Sequence, residues 1–283
     1  MLDKRAVTLY AISLFLIVCI NFTAWTIWAN TALERTDYAI TSERLPPEFE
    51  GFRIAQVADL HCAEYDEDNV KLLSMLRAAE PDIIVFTGDT IDERHLDKTP
   101  TIEFLRACAD IAPCYMVTGN HESAMRRVKY LECEKIFCEI GINVLHGESV
   151  ELTRNGVSIT LLGVDDENYE GVLHSPEQLR ELAGTDSFCI LLSHRPEYFW
   201  RYAKAQIDLT LSGHAHGGQF RLPLIGGLYA PGQGTLPEYD CGVYTYENAN
   251  MVVSRGLGQS SFPLRFNNRP ELVIVTLHSQ SQN

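Results

Sequence analysis

Residues 82–89 read DIIVFTGD. Four apolar residues, Ile83 to Phe86, stand between Pro81-Asp82 and Thr87-Gly88-Asp89, a run too short for an ordinary helix and lacking the alternation of a half-buried strand. It reads as a strand buried on both faces, the kind found in parallel sheets covered by helices. Five other segments share the form: RIAQVA before Asp59, PCYMV before TGNHE, SITLLGV before Asp165-Asp166, SFCILLS before HRP and IDLTLS before GHAH. Helical patterns lie between several of them. Val70, Leu72, Leu73 and Leu76 recur at helical spacing over 68–79 until Pro81 stops the run, and Val128, Leu131, Phe137 and Ile140 form a stripe over 127–140. Ser175-Pro176-Glu177-Gln178 supplies an N-cap, a proline at the first helical position and a capping-box glutamine. Strand and helix alternate, so the class is α/β.

The 283 residues are 46% hydrophobic, ample for a buried core, and carry a formal net charge of -15. No general basic field exists to hold a polyanion, so duplex nucleic acid is excluded as a partner. An anionic substrate would need a local positive centre. No feature points to a protein partner.

The amino terminus differs from the rest. After a short flank, 1–5, the stretch 6–29 contains no charged residue and is apolar apart from scattered Ser, Thr and Asn. At about 1.5 Å per residue it is long enough to cross a bilayer core of roughly 30 Å. Trp25 and Trp28 stand where an aromatic belt would lie. A cleaved signal peptide, usually shorter and followed by a small-residue cleavage site, and a buried core helix are the other readings. We read a single-pass anchor in the cell membrane, with Lys4 and Arg5 inside and the folded domain extracytoplasmic. Residues 30–48, polar and closing on Pro46-Pro47, read as a linker, and 49–283 as the folded domain. Of eight cysteines, one lies in the apolar run and the other seven show no CxxC spacing, which suits buried free thiols.

Ligands of α/β sheets gather at the carboxyl ends of the strands, and there the chain sets Asp59 and His61, Asp89, Asn120 and His121, His194, and His214 with His216. Any one of these has an ordinary explanation as a cap, a turn or a structural histidine. Together, at successive strand ends, they form a ligand set of carboxylate, imidazole and amide oxygen. That chemistry suits divalent manganese, and iron or zinc as alternatives, and its size exceeds what one tetrahedral ion needs. Two metals about 3.5–4 Å apart would use all of it and clamp a phosphoryl group. No GxSxG elbow offers a serine nucleophile.

The order DxH, GDxxD, GNHE, a single later histidine, then GHxH resembles the signature of calcineurin-like metallophosphoesterases, over about 230 residues from Phe49 to His278. GHAHGGQFRLP, VSRGLG and FPLRFNNRPE resemble the membrane-associated bacterial branch that includes UDP-diacylglucosamine pyrophosphatases and related exported phosphodiesterases. The resemblance implies a four-layer α/β/β/α sandwich and two divalent metal ions, one held by Asp59, His61 and His216, the other by Asn120, His194 and His214, with Asp89 bridging. It implies that a metal-bridging hydroxide attacks a phosphodiester or pyrophosphate bond, of a lipid or cell-envelope intermediate, and that His121 protonates the leaving oxygen. A soluble phosphomonoester is the alternative substrate, and a metal-binding module without catalysis the alternative class. Glu122 departs from the family's usual Asp. Asp92 would orient a ligand histidine; Asp165 and Asp166 could do likewise or form an ordinary turn. Arg265 could meet a substrate phosphate or be a surface or core-edge arginine, and Cys62 would point away from a metal if the backbone there is extended.

Overall fold

The buried run around Ile84 is one of sixteen strands in the computed structural model, which describes residues 3–170, 173–184, 187–259, 262 and 264–280. Met1 and Leu2 of the flank, Pro263 of FPLRFNNRPE and the last three residues of the expected domain lie outside the described residues. Helix α1 (Lys4–Thr31) leads to β1 (Glu34–Ser42) and β2 (Arg53–Val57). There follow α2 (Val70–Ala79), β3 (Ile83–Thr87), α3 (Thr99–Ala109), β4 (Cys114–Val117), α4 (Asn120–Ala124), α5 (Arg127–Glu139) and β5 (Ile142–Val144). The second half runs β6 (Glu148–Arg154), β7 (Val157–Gly163), α6 (Glu167–Glu170), α7 (Pro176–Ala183), β8 (Cys189–Leu192), α8 (Phe199–Lys204) and β9 (Leu209–Ser212). Two small hairpins, β10 (Arg221–Leu222) with β11 (Gly226–Gly227) and β12 (Tyr229–Ala230) with β13 (Gly234–Thr235), organise residues 217–240, a stretch rich in Gly and Pro. β14 (Gly242–Tyr246), β15 (Ala249–Val253) and β16 (Glu271–Ser279) complete the chain's strands.

Two six-stranded sheets result, in the orders β1-β16-β2-β3-β4-β5 and β14-β15-β9-β8-β7-β6. The six sequence-predicted runs are β2, β3, β4, β7, β8 and β9, parallel neighbours within each sheet. Alternate residues of these strands face opposite ways. Val85 and Val117 pack with Leu161, Ile190 and Leu211 between the sheets, whereas Ile84 and Phe86 face Leu72, Leu76 and Phe104 of α2 and α3. Across the second sheet, Leu162, Leu191 and Met251 meet Leu179 of α7 and Phe199 and Tyr202 of α8. The layers are therefore helix, sheet, sheet, helix, the four-layer sandwich expected. All eight cysteines are free, Cys62, Cys108, Cys114 and Cys189 being buried.

Two expectations need correction. Residues 30–48 are not a linker: β1 pairs in parallel with β16 over nine residues, Glu34↔Glu271 to Ser42↔Ser279. Its charged residues mark a sheet edge, where the outer flank faces water and discourages further pairing. Tyr38 and Ile40 turn inward to the core between the sheets. On α5 the buried seam is Tyr130 and Phe137, with Ile140 packed against it, while Val128 and Leu131 are 69% and 43% exposed. The two aromatic rings, seven residues apart, share one face, and their larger apolar area decides which face is buried.

Helix α1 spans 28 residues, about 42 Å. It is long and apolar enough to cross a membrane, and Ala29 near its end is its one buried residue.

Candidate metal centre

Each predicted ligand follows the carboxyl end of a parallel strand: Asp59 and His61 after β2, Asp89 after β3, Asn120 after β4, His194 after β8, His214 and His216 after β9. The chain turns abruptly at these ends. Asp59, His61, Asp89, His214 and His216 all have left-handed backbones, with φ between 47° and 66°. Such conformations cost non-glycine residues about 1 kcal/mol or more each and persist only where the surroundings impose them. The glycine before Asn120 is required by contact, because a Cβ on Gly119 would lie 2.3 Å from Asp89 Oδ1.

The turns bring the side chains into two overlapping clusters, Asp59, His61, Asp89 and His216 in one and Asp89, His194 and His214 in the other. In the first, His61 Nε2 is 3.3 Å from His216 Nε2 and 3.6 Å from Asp89 Oδ2, and Asp59 Oδ1 is 3.9 Å from His216 Nε2. In the second, His194 Nε2 is 3.1 Å from both His214 Nδ1 and Asn120 Oδ1, and 3.3 Å from Asp89 Oδ2. Asp89 Oδ2 thus belongs to both. The donor set fits two cations: ligands bonded at about 2.1 Å and meeting near the tetrahedral angle stand about 3.4 Å apart. Nitrogen lone pairs facing each other at this spacing, amid buried carboxylates, are stabilised by positive charge between them. His194 donates from Nδ1 to the Thr87 carbonyl at 2.8 Å, which leaves Nε2 for the cluster.

Electrostatics follow from burial and proximity. Burial raises the Asp59 carboxyl, with repulsion from Asp89 adding to it; His194 and His61 oppose. Burial would raise Asp89 too, but the charges of His194, His61 and His121 hold it well below the usual carboxylate range. His194, despite burial, is pushed up to about 10 by Asp89 and Asp59, while burial and neighbouring cations drive His214 and His216 well down.

His121, the predicted proton donor, is half-buried beside this pair. Its ring stands edge-on to His61, with centroids 4.5 Å apart, its Nε2 is 4.0 Å from Asp89 Oδ2, and burial lowers its pKa. Asp92 lies 3.6 Å from His61 Nδ1 and 3.3 Å from His121 Nδ1, and also accepts from Arg94. Asp165 and Asp166 are not at the cluster: Asp165 accepts from Thr118 and pairs with His146, and Asp166 accepts from Arg195. Cys62 lies on left-handed rather than extended backbone and is buried, which raises its thiol.

Two residues have roles the sequence reading underrated. Buried Glu122 accepts the amides of Asp89, Ile91 and Gly119 at 2.8–2.9 Å, tying the ends of β3 and β4 together. Burial and Asp89 push its carboxyl up to about 7. Its signal was positional, three residues after Gly119 at the start of α4, where a capping-box glutamate stands. Arg265, neither at the surface nor open to a phosphate, is fully buried; its guanidinium donates to the Arg255 and Gly258 carbonyls and lies 3.4 Å from His216 Nδ1.

A two-sheet sandwich carrying a buried Asp/His/Asn cluster at the facing strand ends defines a metal-dependent phosphoesterase, a hydrolase with a binding site for divalent ions. Residues 52–218 match the calcineurin-like phosphoesterase family, and the chain belongs to it. It is 32% identical to the uncharacterized metallophosphoesterase YkuE of Bacillus subtilis, over 87% of this chain and 86% of the relative. It is 27% identical to the phosphodiesterase YaeI of Escherichia coli, over 80% of this chain and 82% of that protein. A transmembrane protein with metallophosphoesterase domain from Danio rerio is 28% identical over 85% of this chain, which spans 56% of that longer protein.

Proposed function

We propose that the chain is a membrane-anchored, two-metal phosphohydrolase acting on phosphodiester or pyrophosphate bonds of a lipid or envelope intermediate, with its catalytic domain extracytoplasmic. Asp59, His61 and His216 hold one cation, Asn120, His194 and His214 the other, and Asp89 both. Manganese suits the nitrogen and oxygen donors, with iron or zinc as alternatives. The observation that carries the reading is the shared Asp89 carboxylate, 3.6 Å from a histidine of one cluster and 3.3 Å from a histidine of the other.

Bound cations supply Lewis acidity, making water acidic enough to serve as a nucleophile near neutral pH and offsetting charge on the phosphoryl oxygens. The protein's part is positioning. Glu122 locks the backbone that carries Asp89 and Asn120, so the shared ligand does not wander. His121, partly exposed beside the cluster and steadied by Asp92, hands a proton to the leaving oxygen. The anchor is α1, and the relative named as transmembrane supports that assignment.

The purified full chain, assayed for bound metal and for turnover of bis-p-nitrophenyl phosphate against p-nitrophenyl phosphate, tests the reading. Metal at about two equivalents and preference for the diester are expected. Preference for the monoester would replace it with a phosphomonoesterase, and metal without turnover with a binding module.

A further inference from the structure

The membrane helix does not end clear of the catalytic domain. Asn30 donates from Nδ2 to the Arg265 carbonyl at 2.9 Å and accepts at Oδ1 from the Arg265 amide at 2.7 Å and Gln259 Nε2 at 3.2 Å. Just before it, Trp25 meets Phe266 edge-on with centroids 4.9 Å apart, and the Arg269 guanidinium lies 4.9 Å over the Trp28 ring. The segment leading to Arg265 is thus pinned at the level where α1 ends. There Phe262 and Leu264 are 49% and 45% exposed. Their carbonyls accept from Gln219 Nε2 at 2.9 and 2.7 Å, so a tethered backbone presents them outward.

Beside this clasp is a cavity of about 640 Å³. Asn30 and Thr31 of α1 form one side, His61 of the metal cluster another, and Glu64, Arg94 and Gln259 are among the rest of its lining. With 6–29 spanning the bilayer core, Asn30 and Thr31 sit among the lipid headgroups, and the cavity with them. Its volume falls within the roughly 300–1,000 Å³ of small-ligand sites, room for a headgroup but not for acyl chains as well.

We propose that this cavity admits a phosphate-bearing lipid laterally from the leaflet that borders the end of α1, with Phe262 and Leu264 seated in that leaflet as its rim. The inference rests on the phosphohydrolase reading above and names its substrate class: an amphiphile whose phosphoryl group reaches His61 from the membrane side while its chains stay in the bilayer. Lipid is favoured as the occupant because the rim is continuous with the membrane helix through Trp25 and Phe266. Arg94 adds a cationic group to the cavity wall, partly engaged by Asp92.

Two measurements on the full chain in nanodiscs test it. Benzoylphenylalanine in place of Phe262 is expected to give a light-dependent lipid adduct by mass, and the same replacement at exposed Trp200, on α8 of the outer helix layer, is not. Phe262→Glu with Leu264→Glu is expected to lower kcat/KM on diacylglyceryl p-nitrophenyl phosphate about tenfold or more while leaving soluble bis-p-nitrophenyl phosphate within about twofold. No adduct at 262, or equal loss on both probes, overturns the proposal. Failure of the hydrolase reading shows differently, as no turnover of either probe by the parent chain, and the adduct then still decides the surface.

Discussion

Asp89 is asked to do two things that its surroundings set against each other: it is buried, which disfavours its charge, and it stands between histidines that need that charge. In the proposed centre, ligation to the cations would resolve the conflict, so removing the charge would remove the reason for the cluster. Asp89→Asn is expected to lose bound metal, read by elemental analysis of the purified chain. His121→Ala, by contrast, is expected to keep both ions while turnover falls about 10²–10⁴-fold, the usual worth of a positioned proton donor; unchanged turnover would remove His121 from that role. Away from the centre, His146 sits between Asp165 at 2.9 Å and Glu134 at 3.2 Å. Burial works against its charge, but the two carboxylates outweigh it and the group is pushed up to about 9 from 6.5. A folded value above the unfolded one means the contribution to stability is fully present below pH 6.5 and lost as pH rises through 9. Denaturation midpoints across that window are expected to fall more steeply in the parent than in His146→Gln; parallel curves would show that the pair contributes nothing.

At the scale of elements, the strands that build the site were readable because each is buried on both faces and ends in a residue type with chemistry. β3 and β9 announce themselves as apolar runs followed by GD and GHAH. β1 did not, because as an edge strand it carries Glu34, Arg35 and Asp37, and its partner β16 lies more than 200 residues later in the chain. Periodicity sees only one chain segment, and an edge strand is specified by the segment it pairs with. Helix α5 shows a related limit: helical spacing was evident, but two faces competed and ring size decided. Phe137→Ala is therefore expected to cost about 3–5 kcal/mol by chemical denaturation. Val128→Ser should change stability by no more than about 0.5 kcal/mol. A Val128 variant as damaging as the Phe137 one would mean that the stripe read from spacing is the buried one.

The whole molecule adds a constraint that neither residues nor elements carry: 38 acidic against 23 basic side chains, a net charge of -15, on an enzyme whose substrates are anions. The local field at the centre does not offset this. The two divalent cations proposed would bring about four positive charges, and the carboxylates of Asp59, Asp89, Asp92 and Glu122 around them would offset most of that. What a soluble diester meets at long range is then the negative field of the whole protein, which slows encounter and is screened over about 10 Å at 0.1 M salt. Raising salt from about 0.02 to 0.2 M is accordingly expected to raise kcat/KM for bis-p-nitrophenyl phosphate, by roughly twofold or more, with kcat little changed. A substrate already held in the membrane does not approach through bulk water, so diacylglyceryl p-nitrophenyl phosphate in nanodiscs should show a weaker salt dependence. A decline with salt for the soluble diester would mean that the metal centre and Arg94 outweigh the global charge, and that attraction rather than confinement to a surface delivers the substrate.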